Sequence, residues 1–532
     1  MGTVAEGRGA ARSALFVSGI DGFCHRYGVL HRARAVAACG FDVRVMHFLD
    51  PRLADASRGA AWIFLYRVPA TAAVEELLAS TAGSGVARVG LLDDRLYAPA
   101  EHAAEDEDAA SRARREEGVP RYRAVLESCD ALLAATPALA ADARGLGPPV
   151  SVHADSLSDD EWDLAQAAVA ARNSAARDVV RLGYASGTPT HDRDLTEMAG
   201  GIAAALAAEP SLRLSLRGPV RLPDVLSPFA DRIERAELVD WTALPEALAA
   251  TDIQLAPLAW RETFARCKGA NKFLEAAAVG VPVVASPTPM HEAWIEHGRN
   301  GLLATGTAAV SAAILELARE PARRAALGAA ARETARTHFS EGARAGEMER
   351  FLAAPPSAGA KPSGWEVFRP QREGETPGQV ALEPDARPVL PNLAVTAEPS
   401  PPLATGAVLT QEFLLAGPGL ERLDVHAVTY DQDLRHLLEF RLLGPEGELH
   451  AAVELDAAIL PDRRFFAFSF EALPCGGLHR LEIRARGTGA GNATSFGLTH
   501  TAADRPAASM DGRALAGALA LRGFARWQSR AA

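Results

Sequence analysis

The sequence predicts an α/β protein with two parallel-sheet units in tandem, followed by an all-β antiparallel sandwich. Three observations carry that prediction. From Ser13 to about Ser158, short apolar runs alternate with helix-forming stretches: Ala14-Leu15-Phe16-Val17, Val43-Arg44-Val45-Met46, Trp62 to Tyr66, and Val89-Gly90-Leu91-Leu92. Strands that are apolar throughout and separated by helices belong in a parallel sheet covered on both faces. The alternation restarts at Val179, with Val179 to Tyr184, Leu212 to Leu216, Ile253-Gln254-Leu255 and Val281 to Ala285, and two Ala/Arg-rich helices follow between Thr307 and Phe339. Beyond a stretch crowded with Pro, Gly, Ser and Glu, the apolar period changes to two, as in Val408 to Phe413, Leu423 to Val428, Leu437 to Leu442 and Leu478 to Ile483. Period two with Gly, Pro and Asp between the runs is the pattern of antiparallel strands.

These switches divide the chain into 1–170 and 171–352 as the two α/β domains and 353–403 as a Pro-rich linker. Residues 404–503 follow as the sandwich, and 504–532 as a C-terminal helix. A helix near Gly342 to Phe351 is expected to return to the N-terminal domain. Composition narrows the function. The 532 residues are 48% apolar and 23% charged with a net charge of −12, an ordinary soluble balance without the basic face a nucleic-acid partner requires. No stretch reaches the ~18 uninterrupted apolar residues of a membrane span, and Met1 to Arg12 lacks the apolar core of a signal peptide. The five cysteines are scattered, which argues against a zinc cluster or a disulfide scaffold and for a cytoplasmic location. Neither α/β domain contains GxGxxG, so no dinucleotide cofactor is indicated.

Two windows could carry chemistry. In FARCKGANKFLEAAAVGVPVVAS (264–286), Lys268, Lys272 and Glu275 are spaced i, i+4, i+7 and would share one helical face, opposite Phe273, Leu274, Ala277 and Ala278. Two ammonium groups near a helix N-terminus form an anion site, and a carboxylate one turn on can accept hydrogen bonds from a ribose diol. The set suits a nucleoside diphosphate; an exposed Lys272–Glu275 ion pair is the alternative. The second window, Gly183-Tyr184-Ala185-Ser186-Gly187-Thr188-Pro189-Thr190-His191, directly follows a predicted strand. Its small residues would let backbone amides approach an oxyanion, Ser186 and Thr188 add hydroxyls, and His191 adds a hydrogen bond or charge. At the carboxyl end of its domain's first strand, it occupies the place where α/β ligands bind.

The first window, with Ile295-Glu296-His297-Gly298-Arg299-Asn300-Gly301-Leu302-Leu303 after it, resembles the C-terminal half of retaining GT-B glycosyltransferases of family 4. The turn YASGTPTHDRD (184–194) resembles a bacterial subgroup that builds surface polysaccharides. So do Cys24-His25-Arg26-Tyr27 with His31, Arg67-Val68-Pro69, and Leu92-Asp93-Asp94-Arg95-Leu96. The resemblance covers roughly residues 13–340 and implies two Rossmann-like domains. It further implies that Glu275 binds the donor ribose and that Lys272 and Lys268 hold the diphosphate. Gly187 and Thr188 would cradle phosphate, while Thr288 and Met290 in the loop Pro287 to Met290 close over the donor. The position eight residues before Glu275 is Cys267, where many members carry a second glutamate, so the transferred sugar does not follow.

This set of residues supports glycosyl transfer from a nucleoside-diphosphate sugar without a metal or other cofactor, because lysines and backbone dipoles meet the charge developing on the leaving phosphate. His25 and Arg26 would meet an acceptor or be solvated at a helix start. Asp93 and Asp94 would make acceptor-side contacts or cap a strand end. The acceptor would be a glycan or a lipid-linked oligosaccharide. In the β region, Tyr430 and Phe466 are candidates for stacking on glycans or for the core. Leu521, Phe524 and Trp527 recur every three residues beside Arg522, Arg526 and Arg530, so a terminal helix would either touch an anionic membrane peripherally or dock on the sandwich. The rival functions are a non-catalytic glycan-binding protein and a nucleotide-sugar epimerase.

Overall fold

In the computed structural model, which describes residues 12–99, 109–172, 178–187, 192–354, 380–382, 384–390, 399–430, 434–460, 462–474, 476–488, 493–499 and 505–525, each alternating run builds its own parallel sheet. The first contains β1 (Ser13–Ser18), β2 (Asp42–His47), β3 (Ala60–Tyr66), β4 (Ala87–Leu92), β5 (Ala131–Ala134) and β6 (Val150–Val152), in the order β2-β1-β3-β4-β5-β6. The second contains β7 (Val180–Ala185), β8 (Leu212–Arg217), β9 (Ile233–Ala236), β10 (Ile253–Ala256), β11 (Val283–Ala285) and β12 (Leu302–Leu303), in the order β12-β11-β10-β7-β8-β9. Both are Rossmann-like sheets, in the tandem arrangement typical of GT-B. Each reverses its strand order beside its first strand, at the β1/β3 and β7/β10 neighbours. Ligands of open α/β sheets bind at the carboxyl ends of the strands at such a reversal.

The burial of these strands follows their composition. β4 is buried along its whole length, and β1 is buried from Ala14 onward. Phe16, Trp62, Phe64 and Tyr66 fill the core of the first domain with Val29 and Val36 from the helix after β1. The helix Glu341–Ala353 returns to that same core, where Met348 and Leu352 are buried, as expected for the segment near Gly342.

The helix after β1 spans 23–38 and begins with Phe23–His25. Arg26–Leu30 then form a π-helical turn, and His31–Ala38 complete it. Such a turn places one extra residue in the helix and is concentrated at functional sites. Gly28 lies inside it because the helix presses on the Tyr66 ring; a Cβ there would come 2.2 Å from that ring.

Contacts divide the chain into two compact units: Met1–Val45 with Ala56–Phe368, and Met46–Asp55 with Arg369–Ala532. In the second unit, one antiparallel sheet runs β13-β25-β15-β18 and another runs β17-β16-β19-β14-β22-β23. These strands are β13 (Arg387–Leu390), β14 (Val408–Leu415), β15 (Leu420–Val428), β16 (Leu437–Leu443), β17 (Leu449–Asp456), β18 (Arg464–Ser469), β19 (Gly477–Arg486), β22 (Ser509–Met510), β23 (Arg513–Ala514) and β25 (Leu521–Ala525). The short strands β20 (Ser495–Phe496), β21 (Leu498–Thr499) and β24 (Ala518–Leu519) complete it. Both sheets contribute to one core, with Phe413, Phe440, Ile483, Val425, Phe466 and Leu521 all buried in it. Phe466 therefore belongs to the core, while Tyr430 stays exposed.

Two sequence expectations fail here. The stretch 353–403 is not linker throughout, because β13 pairs with β25 from within it. The terminal segment expected as a helix is strand: β25 pairs antiparallel with β15 and β13, and Leu521 and Phe524 are buried. Arg522 is buried too, 2.9 Å from Asp424 with its guanidinium 4.0 Å over the Phe465 ring. Residues 521–525 therefore form no helix and present neither an exposed apolar stripe nor an arginine face. Trp527, Arg526 and Arg530 lie outside the described residues. The physical reason is that the segment pairs with β13 on one edge and β15 on the other, and Gly523 lies close to both, where a Cβ would come 2.7 Å from the Leu420 side chain and 3.0 Å from the Leu390 side chain. Among the described residues no helix is long and apolar enough to cross a membrane.

Candidate active site

The β7/β10 reversal is where the predicted residues converge. The loop after β10 leads into the short helix Thr263–Arg266 and then into the helix Asn271–Ala278. Lys272 and Glu275 sit one turn apart on that second helix, whose opposite side, Phe273, Leu274 and Ala277, is buried. Lys268 does not share the helix, contrary to the spacing argument. It lies in the turn before it and reaches the same region from there.

The Lys272 ammonium donates to the carbonyl of Ala185, the last residue of β7, at 2.8 Å, and lies 5.3 Å over the Tyr184 ring. A cation is thus held at the carboxyl end of the strand that borders the reversal. Burial lowers the Lys272 pKa, opposed by the nearby Glu275 and Asp194 carboxylates. Lys268 pairs with Asp94 at 3.2 Å and lies 4.6 Å over the Phe264 ring. Burial opposes its charge as well, but Asp94 and Asp194 outweigh that and raise its pKa.

Glu275 accepts a hydrogen bond from the Tyr27 hydroxyl at 2.9 Å. Burial pushes its carboxyl up to about 7, against the pull of Lys272 and the Tyr27 hydrogen bond. The Lys272–Glu275 pair is therefore no solvated surface pair: both side chains are partly covered, and each holds a further partner.

Asp93 and Asp94, at the carboxyl end of β4, neither cap a strand nor stand free. Asp93 accepts from the Tyr66 hydroxyl at 2.7 Å and from Arg67 Nε at 2.9 Å, while Asp94 bridges Arg67 at 2.9 Å and Lys268. The charges alternate along Asp93, Arg67, Asp94 and Lys268. Arg67 adopts φ +51°, an uncommon backbone for a non-glycine residue and one that marks a constrained position. The Arg67 charge, working against burial, holds Asp93 below the usual carboxylate range.

His25 and Arg26 are not at a solvated helix start; both are buried. The His25 ring contacts Ser18 Oγ at 3.0 Å. The Arg26 guanidinium lies 3.3 Å from the centre of the Trp241 ring, with Glu161 at 3.8 Å. Thr288 caps the helix Pro289–Trp294, accepting from the His291 amide, and Met290 is buried in a core with Phe273 and Leu274. Both thus have structural places in the fold. The Ser186 amide donates to Arg217 at 3.1 Å and is committed to β8. Gly187 is exposed, and a Cβ there would meet no atom within 4 Å. Thr188 and His191 lie outside the described residues. Among the described residues, no cluster of three or more His, Cys, Asp or Glu side chains is placed to hold a metal ion.

Tyr27, Arg67 and Trp241 join the site although sequence reasoning gave them no role. Tyr27 and Arg67 stand inside the resembling segments, but Trp241 carries no local signal, since its partner is 215 positions away in sequence.

Comparison with known proteins places the second domain. Residues 179–320 match the family model described as glycosyl transferases group 1, which spans β7 to the helix Thr307–Arg319 and includes Lys268, Lys272 and Glu275. No curated protein matches the chain. Similar solved structures include Anabaena HepE in complex with UDP and glucose, at 15% identity over 64% of this chain and 100% of that one, with a TM-score of 0.44. Sucrose-phosphate synthase from Thermosynechococcus elongatus is similar at 17% identity over 64% of this chain and 98% of that one, with a TM-score of 0.46. The pneumococcal O-GlcNAc transferase GtfA, in complex with UDP and GlcNAc, is similar at 15% identity over 55% of this chain and 56% of that one, with a TM-score of 0.39.

Proposed function

We propose that the chain is a retaining glycosyltransferase that moves a hexosyl unit from a nucleoside-diphosphate sugar to a glycan or lipid-linked acceptor in bacterial surface-polysaccharide synthesis. The observation that carries the donor class is the Lys272 ammonium on the Ala185 carbonyl at the sheet reversal, with Glu275 one turn further on. The match of residues 179–320 to glycosyl transferases group 1 supports the reaction class. Retention and the biosynthetic role rest on the resemblance of the 184–194 and 264–303 segments.

In this reading Lys272 takes the diphosphate, Lys268 supports it from the preceding turn, and Glu275 takes the ribose hydroxyls. The bond from the anomeric carbon to the phosphate oxygen breaks, and its electron pair passes to the diphosphate. The acceptor hydroxyl oxygen bonds to that carbon on the same face and gives up its proton to the departing phosphate oxygen. Two ammonium groups already in place stabilise the charge as it develops, so the chemistry asks no metal of the site. Asp94 keeps the Lys268 ammonium charged and aimed.

The experiment is donor turnover with Lys272→Ala and Glu275→Ala, alongside thermal shifts with GDP, UDP and dTDP. Each substitution removes a charge-assisted contact worth ~1.5–3 kcal/mol, so at least a tenfold loss in kcat/KM is expected with the fold intact. Turnover should survive EDTA. Wild-type turnover in both variants would refute the assignment, and a strict divalent-metal requirement would refute the lysine-based leaving-group model.

A further inference from the structure

The π-helical turn Arg26–Leu30 puts two consecutive side chains onto two groups of the second domain. Tyr27 donates its hydroxyl to Glu275, and Arg26 lays its guanidinium 3.3 Å over the Trp241 ring. Trp241 is 5% exposed and Arg26 2%. Both stay short of hydrogen bonds: Arg26 Nε has only the Glu161 carboxylate, 3.8 Å away, and Arg26 Nη1 and Trp241 Nε1 are buried without a hydrogen-bond partner among the described residues. Buried donors without acceptors are uncommon in folded proteins, and each calls for an explanation. Both residues open the π-helical turn, in which Gly28 lies pressed on the Tyr66 ring.

The chemistry of the two contacts is that of a nucleoside. A hydroxyl donating to a carboxylate is what a ribose would offer Glu275. A flat, delocalised group stacked on an indole is what a nucleobase would offer Trp241. Both contacts come from consecutive residues, so a single turn of the N-terminal helix supplies them together. Glu275 and Lys272 lie one turn apart on one helix, which suits ribose and diphosphate in the proposed reading, and Trp241 is the aromatic group held against the same N-terminal turn.

We infer that Trp241 is the platform for the donor's nucleobase, and that Arg26 and Tyr27 are an internal cover occupying the nucleoside position, which the donor displaces on binding. The inference rests on the proposed reading of Glu275 and Lys272 as ribose and diphosphate groups. It assigns the cover to the N-terminal domain, so donor binding and release of that helix from the second domain are one event. Because the donor must compete with the cover, its apparent affinity is reduced by the fraction of molecules in which the cover is open. Weakening the cover therefore tightens binding, whereas losing a ligand contact would weaken it.

The test is calorimetric titration of the full chain, its Tyr27→Phe variant and its Trp241→Phe and Trp241→Leu variants, with UDP, GDP, dTDP and inorganic pyrophosphate as probes. Tyr27→Phe should bind the preferred nucleoside diphosphate roughly tenfold more tightly, the worth of one hydrogen bond to a charged group, and bind pyrophosphate unchanged. Compared within an Arg26→Ala background, in which the Trp241 ring no longer seats the cover, Trp241→Leu should bind it at least roughly tenfold more weakly, the worth of one stacked base, with pyrophosphate again unchanged, and Trp241→Phe should retain most of the affinity. Equal or weaker nucleotide binding by Tyr27→Phe overturns the cover, and unchanged binding by Trp241→Leu in that background overturns the platform. If the unmodified chain binds pyrophosphate but gains nothing from any nucleoside, the inference fails while the diphosphate site stands. If it binds none of the four, the reading beneath it fails too.

Discussion

Glu275, the group proposed to take the ribose, has its carboxyl pushed up to about 7 by burial, which Lys272 only partly offsets. A carboxyl raised on folding keeps its proton where the unfolded chain has lost it, so stability falls as pH climbs from about 4.5 through about 7. The same carboxyl must be ionised to accept strongly from ribose hydroxyls. Two opposite trends result. The Tm of the free protein should decline across that window relative to Glu275→Gln, while affinity for an intact nucleotide sugar, whose diphosphate does not titrate there, should rise. Glu275→Gln should flatten both, as read by thermal unfolding and by titration at a series of pH values. Unchanged pH dependence in that variant would move the titration elsewhere. The chain itself displayed this residue and Lys272 because helical spacing is a local rule. Lys268 departed from that rule because the helix Asn271–Ala278 starts after it, with Gly269 and Ala270 between. Asp93, Asp94 and Arg26 were visible as candidates, but their roles depended on partners far along the chain: Arg67, Lys268 and Trp241.

Parallel strands and buried helices were legible one element at a time because their signal is a continuous apolar run. The π-helical turn was not, since its contacts, Gly28 against Tyr66 and Tyr27 on Glu275, lie far along the chain. β25 misled for a different reason. Leu521 and Phe524 are three apart and fit a helical stripe, whereas the segment is the inner strand of a sheet, paired with β13 and β15 and buried from Leu521 to Phe524, with its arginine neutralised by Asp424. Apolar period is a poor guide when both faces of a segment are covered. The strand identity makes a prediction that a surface helix would not. Phe524→Ala should destabilise the C-terminal sheet region by ~3–5 kcal/mol, the usual penalty for emptying a buried aromatic site, with a correspondingly lower denaturation midpoint. A loss under ~0.5 kcal/mol, typical of a surface position, would speak against the buried strand.

At the scale of the molecule, the chain consists of two compact units, each with its own cores: Leu182, Leu214 and Ile253 or Phe16 and Phe64 in one, Phe413, Phe440 and Val425 in the other. All residues proposed to meet the donor lie in the first unit. A ligand that binds only the native form stabilises what it binds by RT ln(1 + [L]/Kd), about 2.7 kcal/mol at a hundred times Kd. That free energy appears in the transition of the unit that holds the site and not in a separately unfolding neighbour. Calorimetry of the full chain should therefore show two unfolding transitions, of which saturating nucleoside diphosphate raises one by several degrees and leaves the other in place. Phe524→Ala should lower only the transition that ignores nucleotide, and Lys272→Ala should abolish the shift of the one that responds. A single transition that moves as a whole would mean that the two units unfold together, so that the C-terminal sheets contribute to the stability of the donor site.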